Sequence, residues 1–142
     1  MQELEIIARK LESSCEQLRQ IRRQALNEAG DKLLSAVRGK IGGTGKVQSW
    51  QQKYMGSGGG YTAVRPAAKT YDRSGNAVGY VTNAIEGGHR QSPGRYVPAL
   101  GKKLTAQRAP GKWMYRSTNS AQIAAEARDQ IERGMQKVLE DI

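Results

Sequence analysis

The chain has no phenylalanine, one histidine and one cysteine. No apolar run approaches the roughly 20 residues of a membrane span. A lone cysteine, Cys15, excludes an intramolecular disulfide and any metal site built from several thiolates. A reducing compartment suits such usage. The opening MQELEIIARKLE mixes charges with apolar residues and lacks the unbroken apolar run of a secretory signal. These absences predict a soluble chain made in the cytoplasm, and its 142 residues fit a single domain, residues 1–142.

Acidic residues are scarce where basic ones are dense. Residues 40–116 hold thirteen Lys or Arg against two carboxylates, Asp72 and Glu86. The flanks are nearly balanced, with seven against six in residues 1–39 and three against five in residues 117–142. The net charge of +10 therefore belongs to the middle of the chain. Such a distribution suits an acidic partner, either nucleic acid or an acidic protein face, or a solubilising surface. It also argues against a two-carboxylate glycosidase or a two-metal nuclease, which need acidic groups around a cleft. His89, in GGHRQ, has the surroundings of a turn residue rather than a base. No enzymatic activity, cofactor or metal is expected.

The stretch GGTGK at 42–46 resembles a phosphate-binding loop but fails its spacing. Five residues before Gly45 stands Lys40 instead of glycine, and Val47 occupies the place of the magnesium-binding hydroxyl. The stretch also follows a predicted helix, not a strand. It reads as a helix stop and turn.

Two helices stand out. Leu4, Ile7, Leu11, Cys15, Leu18, Ala25, Ala29, Leu33 and Val37 recur at helical spacing, with Ile21 near the same face. They predict a helix from about Gln2 to Arg38 within residues 1–39, with Cys15 a small buried hydrophobe in the stripe. Gly30 is a candidate bend, and Gly39, Gly42 and Gly43 are stop signals. In residues 117–142, Ala121, Ala124, Ile131, Met135, Val138 and Ile142 form a second stripe with Ala127 and Leu139 beside it. Ser117, Asn119 or Ser120 serves as its cap.

The middle changes character. Val64, Thr70, Tyr71, Val78, Tyr80 and Val81 surround the turn signal Arg73-Ser74-Gly75-Asn76 and predict a hairpin in a sheet region, residues 40–87. Pro66 points to an edge or a bulge. Residues 47–54 read as a strand or a loop leading into one, and MGSGGGY at 55–61 as a flexible connection. Residues 88–116 read as an extended basic arm with short strands near Tyr96–Ala99 and Leu104–Arg108. The fold class predicted is α/β (α+β), with an N-terminal and a C-terminal helix packed on a small antiparallel sheet.

The arm interleaves Arg90, Arg95, Lys102, Lys103, Arg108, Lys112 and Arg116 with Tyr96, Trp113 and Tyr115. Cations neutralise phosphates and aromatic rings stack on bases, so a small nucleic-acid-binding module is one reading. No helix-turn-helix, zinc or RNA-recognition signature accompanies it. A basic arm packed on a neighbouring subunit, with Trp113 as a buried anchor, is the other.

The order of elements resembles the neck, head–tail joining or tail-completion proteins of tailed bacteriophages over most of the chain. Thr44-Gly45 is similar to the Thr-Gly after that family's first helix. Ile85-Glu86-Gly87-Gly88-His89 looks like its apolar-Glu-aromatic-Gly-His/Thr stretch, with Gly87 in the aromatic's place. Pro110-Gly111-Lys112-Trp113-Met114 looks like its Pro-Gly-basic-aromatic-apolar run before the final helix. The resemblance implies helices on a small antiparallel sheet. It also implies a homo-oligomeric ring between capsid connector and tail, around the DNA channel, with no catalytic role. Its implied partners are further copies of itself, the neighbouring connector and tail proteins, and, without sequence preference, the DNA in the channel; no membrane is implied. The implied location is the virion neck. On this reading residues 88–116 reach an adjacent subunit or ring through Trp113 and Tyr115. The positive charge then meets acidic partner surfaces or faces DNA.

Overall fold

A computed structural model describes residues 2–41, 45–90, 96–97, 102–103 and 108–141. For residue 90 and the short strands at 96–97, 102–103 and 108–109 the description is of the backbone. The fold is α+β, with a long N-terminal helix, a C-terminal helix and a small two-stranded antiparallel sheet. The elements are α1 (Gln2–Lys40), α2 (Lys46–Trp50), β1 (Gln51–Met55), β2 (Thr62–Pro66), α3 (Val78–Gly87), β3 (His89–Arg90), β4 (Tyr96–Val97), β5 (Lys102–Lys103), β6 (Arg108–Ala109) and α4 (Ser120–Glu140). Packing groups them into two compact units, each built from separated segments: 1–36 with 53–64 and 119–142, and 37–52 with 65–118.

In the first unit α1 and α4 run antiparallel. Gly134 of α4 meets Ile21 of α1, and Lys32 Nζ lies 3.1 Å from Glu126 Oε2. Small side chains allow the approach: Ala25 and Ala29 of α1 and Ala127 of α4 are buried, together with Val138. Along α4 the inward row is therefore Ile123, Ala127, Ile131, Gly134 and Val138, at helical spacing. This corrects the expected stripe, because Ala121, Ala124, Met135 and Leu139 are exposed. The helix carries apolar residues on two adjacent faces, and glycine and alanine select which one packs. Asn119 is the cap, its Oδ1 accepting from Gln122 N at 3.2 Å.

The β1–β2 turn packs on α1. Lys53 Nζ donates to Asn27 Oδ1 at 2.6 Å and to Asp31 Oδ1 at 2.5 Å. Gly30 does not break α1, and a Cβ there would stand 2.5 Å from Thr62 Oγ1 and 2.6 Å from Lys53 Cδ, so those side chains would have to shift. Cys15 is exposed, against expectation. Ser14 is the buried neighbour, its Oγ donating to Lys10 O at 2.7 Å. The predicted flexible connection at 55–61 is the turn of the β1–β2 hairpin, closed by Gly56 N donating to Tyr61 O at 2.8 Å, with one 3-10 turn at Ser57–Gly59 in which Gly59 N donates to Gly56 O at 3.0 Å.

The second unit has Val37, Ile41, Val78 and Met114 at its centre. Helix α1 passes Gly39 and ends at Lys40, where the Gln48 amide donates to the carbonyls of Arg38 (3.1 Å) and Ile41 (2.7 Å). Those bonds satisfy carbonyls that a helix end leaves unpaired. Thr44 and the glycines at 42 and 43 lie outside the described residues. Residues 47–54 divide between α2 and β1.

The largest correction concerns residues 70–87. The turn expected at 73–76 forms: Asp72 Oδ1, just before it, accepts from Ser74 N and Asn76 N, and Tyr71 bridges Ala77. The chain then enters helix α3 in place of a second strand, so Val78, Tyr80 and Val81 are helical. Val78 and Thr82 are both buried, four residues apart. Packing one face of a helical turn outweighs the β preference of valine and tyrosine. Pro66 ends β2, an edge strand of the two-stranded sheet.

Candidate functional site: a clasp at the base of the basic segment

Helix α3 releases the chain through Gly88, whose φ of 84° suits glycine. The chain leaves along β3 and returns along β6, with His89 opposite Ala109 and Arg90 opposite Arg108. Farther out β4 pairs with β5, setting Tyr96 opposite Lys103 and Val97 opposite Lys102. The expected short strands thus exist in part. Arg90, Tyr96, Lys102, Lys103 and Arg108 are brought onto two small ladders, and Arg95 lies outside the described residues.

Beyond β6 the run Pro110–Met114 docks on the end of α3. Lys112 N donates to Ile85 O at 2.9 Å, and Trp113 N to Glu86 O at 3.1 Å. Gly111 lies so close that a Cβ would stand 2.6 Å from Glu86 O and 2.8 Å from Gly87 C. The Glu86 carboxylate accepts from Tyr115 N (Oε2 at 3.0 Å, Oε1 at 3.2 Å) and from Arg116 N (Oε1 at 3.0 Å). It acts as a cap for a single helical turn, closed by Ser117 N to Trp113 O at 2.9 Å and Thr118 Oγ1 to Met114 O at 2.8 Å. A charged acceptor on otherwise unpaired backbone donors is a strong form of hydrogen bond.

Side chains divide inward and outward from this turn. Met114 is fully buried. Tyr115 reaches inward, its hydroxyl donating to Gln51 Oε1. Gln51 Nε2 donates in turn to Thr82 Oγ1 at 3.2 Å and Val47 O at 3.1 Å. Burial, and secondarily the Glu86 charge, push the Tyr115 phenol up to about 12. Trp113 and Lys112 face outward, Trp113 with 42% of its surface exposed. The Arg116 guanidinium lies 4.7 Å above the centre of the Trp113 ring.

Of the predicted site residues, Lys112, Trp113, Tyr115 and Arg116 come together in the clasp. Within this chain Trp113 is not a buried anchor; Met114 has that place. Sequence reasoning missed the capping role of Glu86 and the buried partner Gln51. The signal for Glu86 was its isolation: it is one of two carboxylates in the basic middle. Gln51 carried none, because its partner is 64 positions away. Among the described residues no group of three His, Cys, Asp or Glu could hold a metal, and no helix is long and apolar enough to cross a membrane. No family model, curated protein or solved structure matches the chain.

Proposed function

We propose that the chain is a structural head–tail joining protein of a tailed bacteriophage, of the neck or tail-completion type, and has no catalytic role. It assembles as a homo-oligomeric ring between capsid connector and tail, coaxial with the DNA channel. The observation that carries the reading is the clasp. Two of the motifs that resemble that family, Ile85–His89 and Pro110–Met114, lie more than twenty positions apart yet form one device through Glu86 and Gly111. Their shared purpose is to close the base of a basic excursion while turning Trp113 and Lys112 outward, where a neighbouring chain can meet them.

The excess of positive charge in residues 40–116, thirteen Lys or Arg against two carboxylates, suits an acidic surrounding. A channel of DNA phosphates or an acidic face of an adjoining ring supplies one. The same excess favours the second reading, a free-standing nucleic-acid-binding module, and salt-dependent DNA binding separates the two.

The direct test removes the gene from the phage or prophage that encodes it. DNA-filled heads and separate tails should accumulate, and antibody labelling of intact virions should mark the head–tail junction. Normal, infectious, tailed particles lacking the protein would refute the proposal.

A further inference from the structure

The first unit carries an apolar groove of about 650 Å³ along α4 from Ser120 to Glu132. Leu33 of α1, Tyr61 of the hairpin turn, and Ala124 and Ile131 of α4 line it, and Arg128 and Glu132 are its charged lining residues. The unit also carries a bare helix tip. The contacts Ile21–Gly134 and Lys32–Glu126 fix the antiparallel register, so the end of α4 comes level with about the fourth turn of α1. Residues 2–13 are all exposed, and Leu4, Ile7 and Leu11 keep 60%, 49% and 48% of their surface in solvent. Those three form one stripe, at spacings of three and four.

We infer that the helix tip of one copy docks in the α4 groove of the next. The tip spans about twelve residues, or roughly 18 Å at 1.5 Å per residue, and the groove runs over a similar length of α4. Glu3 and Lys10 flank the stripe on one side, seven residues apart, and Arg128 and Glu132 line the groove. None of these four has an ion-pair partner among the described residues. Apolar stripe into apolar groove, with one unpaired charge of each sign on both surfaces, is the helix-in-groove mode of recognition. The tip cannot fill its own groove, because α1 is one continuous helix and the groove involves that same helix from Leu26 to Leu33. The contact is therefore head-to-tail: each copy offers a tip and receives one, which closes a ring or propagates a filament. The inference supplies the contact that the ring reading needs, and rests on that reading only for closure of the ring.

The full chain, its Leu4→Glu/Leu11→Glu variant and its Ala124→Arg variant are compared by sedimentation over a wide concentration range. All three substituted residues are exposed, so the variants should fold, and circular dichroism checks that they do. The wild type should associate, and each variant alone should associate at least about tenfold more weakly. Mixing the two variants should restore a 1:1 pair that grows no further, since one intact tip and one intact groove remain. A wild type that stays monomeric throughout would assign the groove to another protein and overturn the inference. Variants that associate like the wild type, or a mixture that forms no pair, would also overturn it. A monomeric chain that still joins heads to tails defeats this contact and leaves the neck reading standing. Self-association through tip and groove by a chain missing from virions does the reverse.

Discussion

Glu86 shows how much one side chain does when its surroundings are basic. Its carboxylate and its carbonyl together hold the backbone nitrogens of Trp113, Tyr115 and Arg116. Gly111 makes that approach sterically allowed. Gly111→Ala should cost about 1–3 kcal/mol, because the new methyl would press on backbone atoms that cannot rotate away. Chemical denaturation of the purified chain measures it, and an unchanged midpoint would contradict the clasp geometry. Tyr115 gives a pH signature. Its phenol is pushed up to about 12, against about 10 for a free tyrosine, so the fold favours the protonated form. That contribution is fully present below pH ~10 and is lost as pH rises from about 10 through about 12. Tyr115→Phe should lower stability at neutral pH by about 1 kcal/mol, leaving the buried Gln51 acceptor unpaired, and should remove this part of the alkaline loss. Unfolding curves at pH 8 and 11 for both proteins test the sign.

At the scale of elements, the two long helices differ in what their length is for. Helix α4 packs one face from Ile123 to Val138, whereas the first three turns of α1 bury nothing. Deleting residues 2–11 should therefore move the thermal midpoint by less than about 3 °C while reducing the helical signal. A large loss of stability would mean that those turns pack on something in the monomer. The element that sequence patterning misread, α3, teaches a different lesson. Valine, tyrosine and a well-formed turn favour a second strand, and Val78 and Thr82 separately favour a helix once there is a core to receive them. That core comes from Val37, Gln51 and Met114, residues distant in the chain, so no local window contains the deciding information.

For the whole molecule the governing quantity is charge placement. A net charge of +10, gathered in the middle of the chain, should give sequence-indifferent DNA binding dominated by counterion release. Affinity should fall at least about a hundredfold between roughly 50 and 200 mM salt. Replacing Lys112 and Arg116 with Ala should flatten the salt slope by about 2 if both meet phosphates. Fluorescence anisotropy with two unrelated duplexes reads both effects. Tight binding that survives moderate salt and prefers one duplex would favour the free-standing nucleic-acid module over the joining protein.

Sequence alone determined α1, α4, the turn at Arg73–Asn76 and the location of the positive charge. Each depends on neighbours within one or two helical turns, or on composition. Tertiary structure decided which apolar face of α4 packs, that α3 is a helix, that Cys15 is exposed and that Met114 is the clasp's buried residue. It also decided that Glu86 and Gly111 belong together. All of these turn on which surfaces become available when distant segments meet. Small residues at Ala25, Ala29, Ala127 and Gly134 let two helices approach, and the approach then fixes what is buried around them.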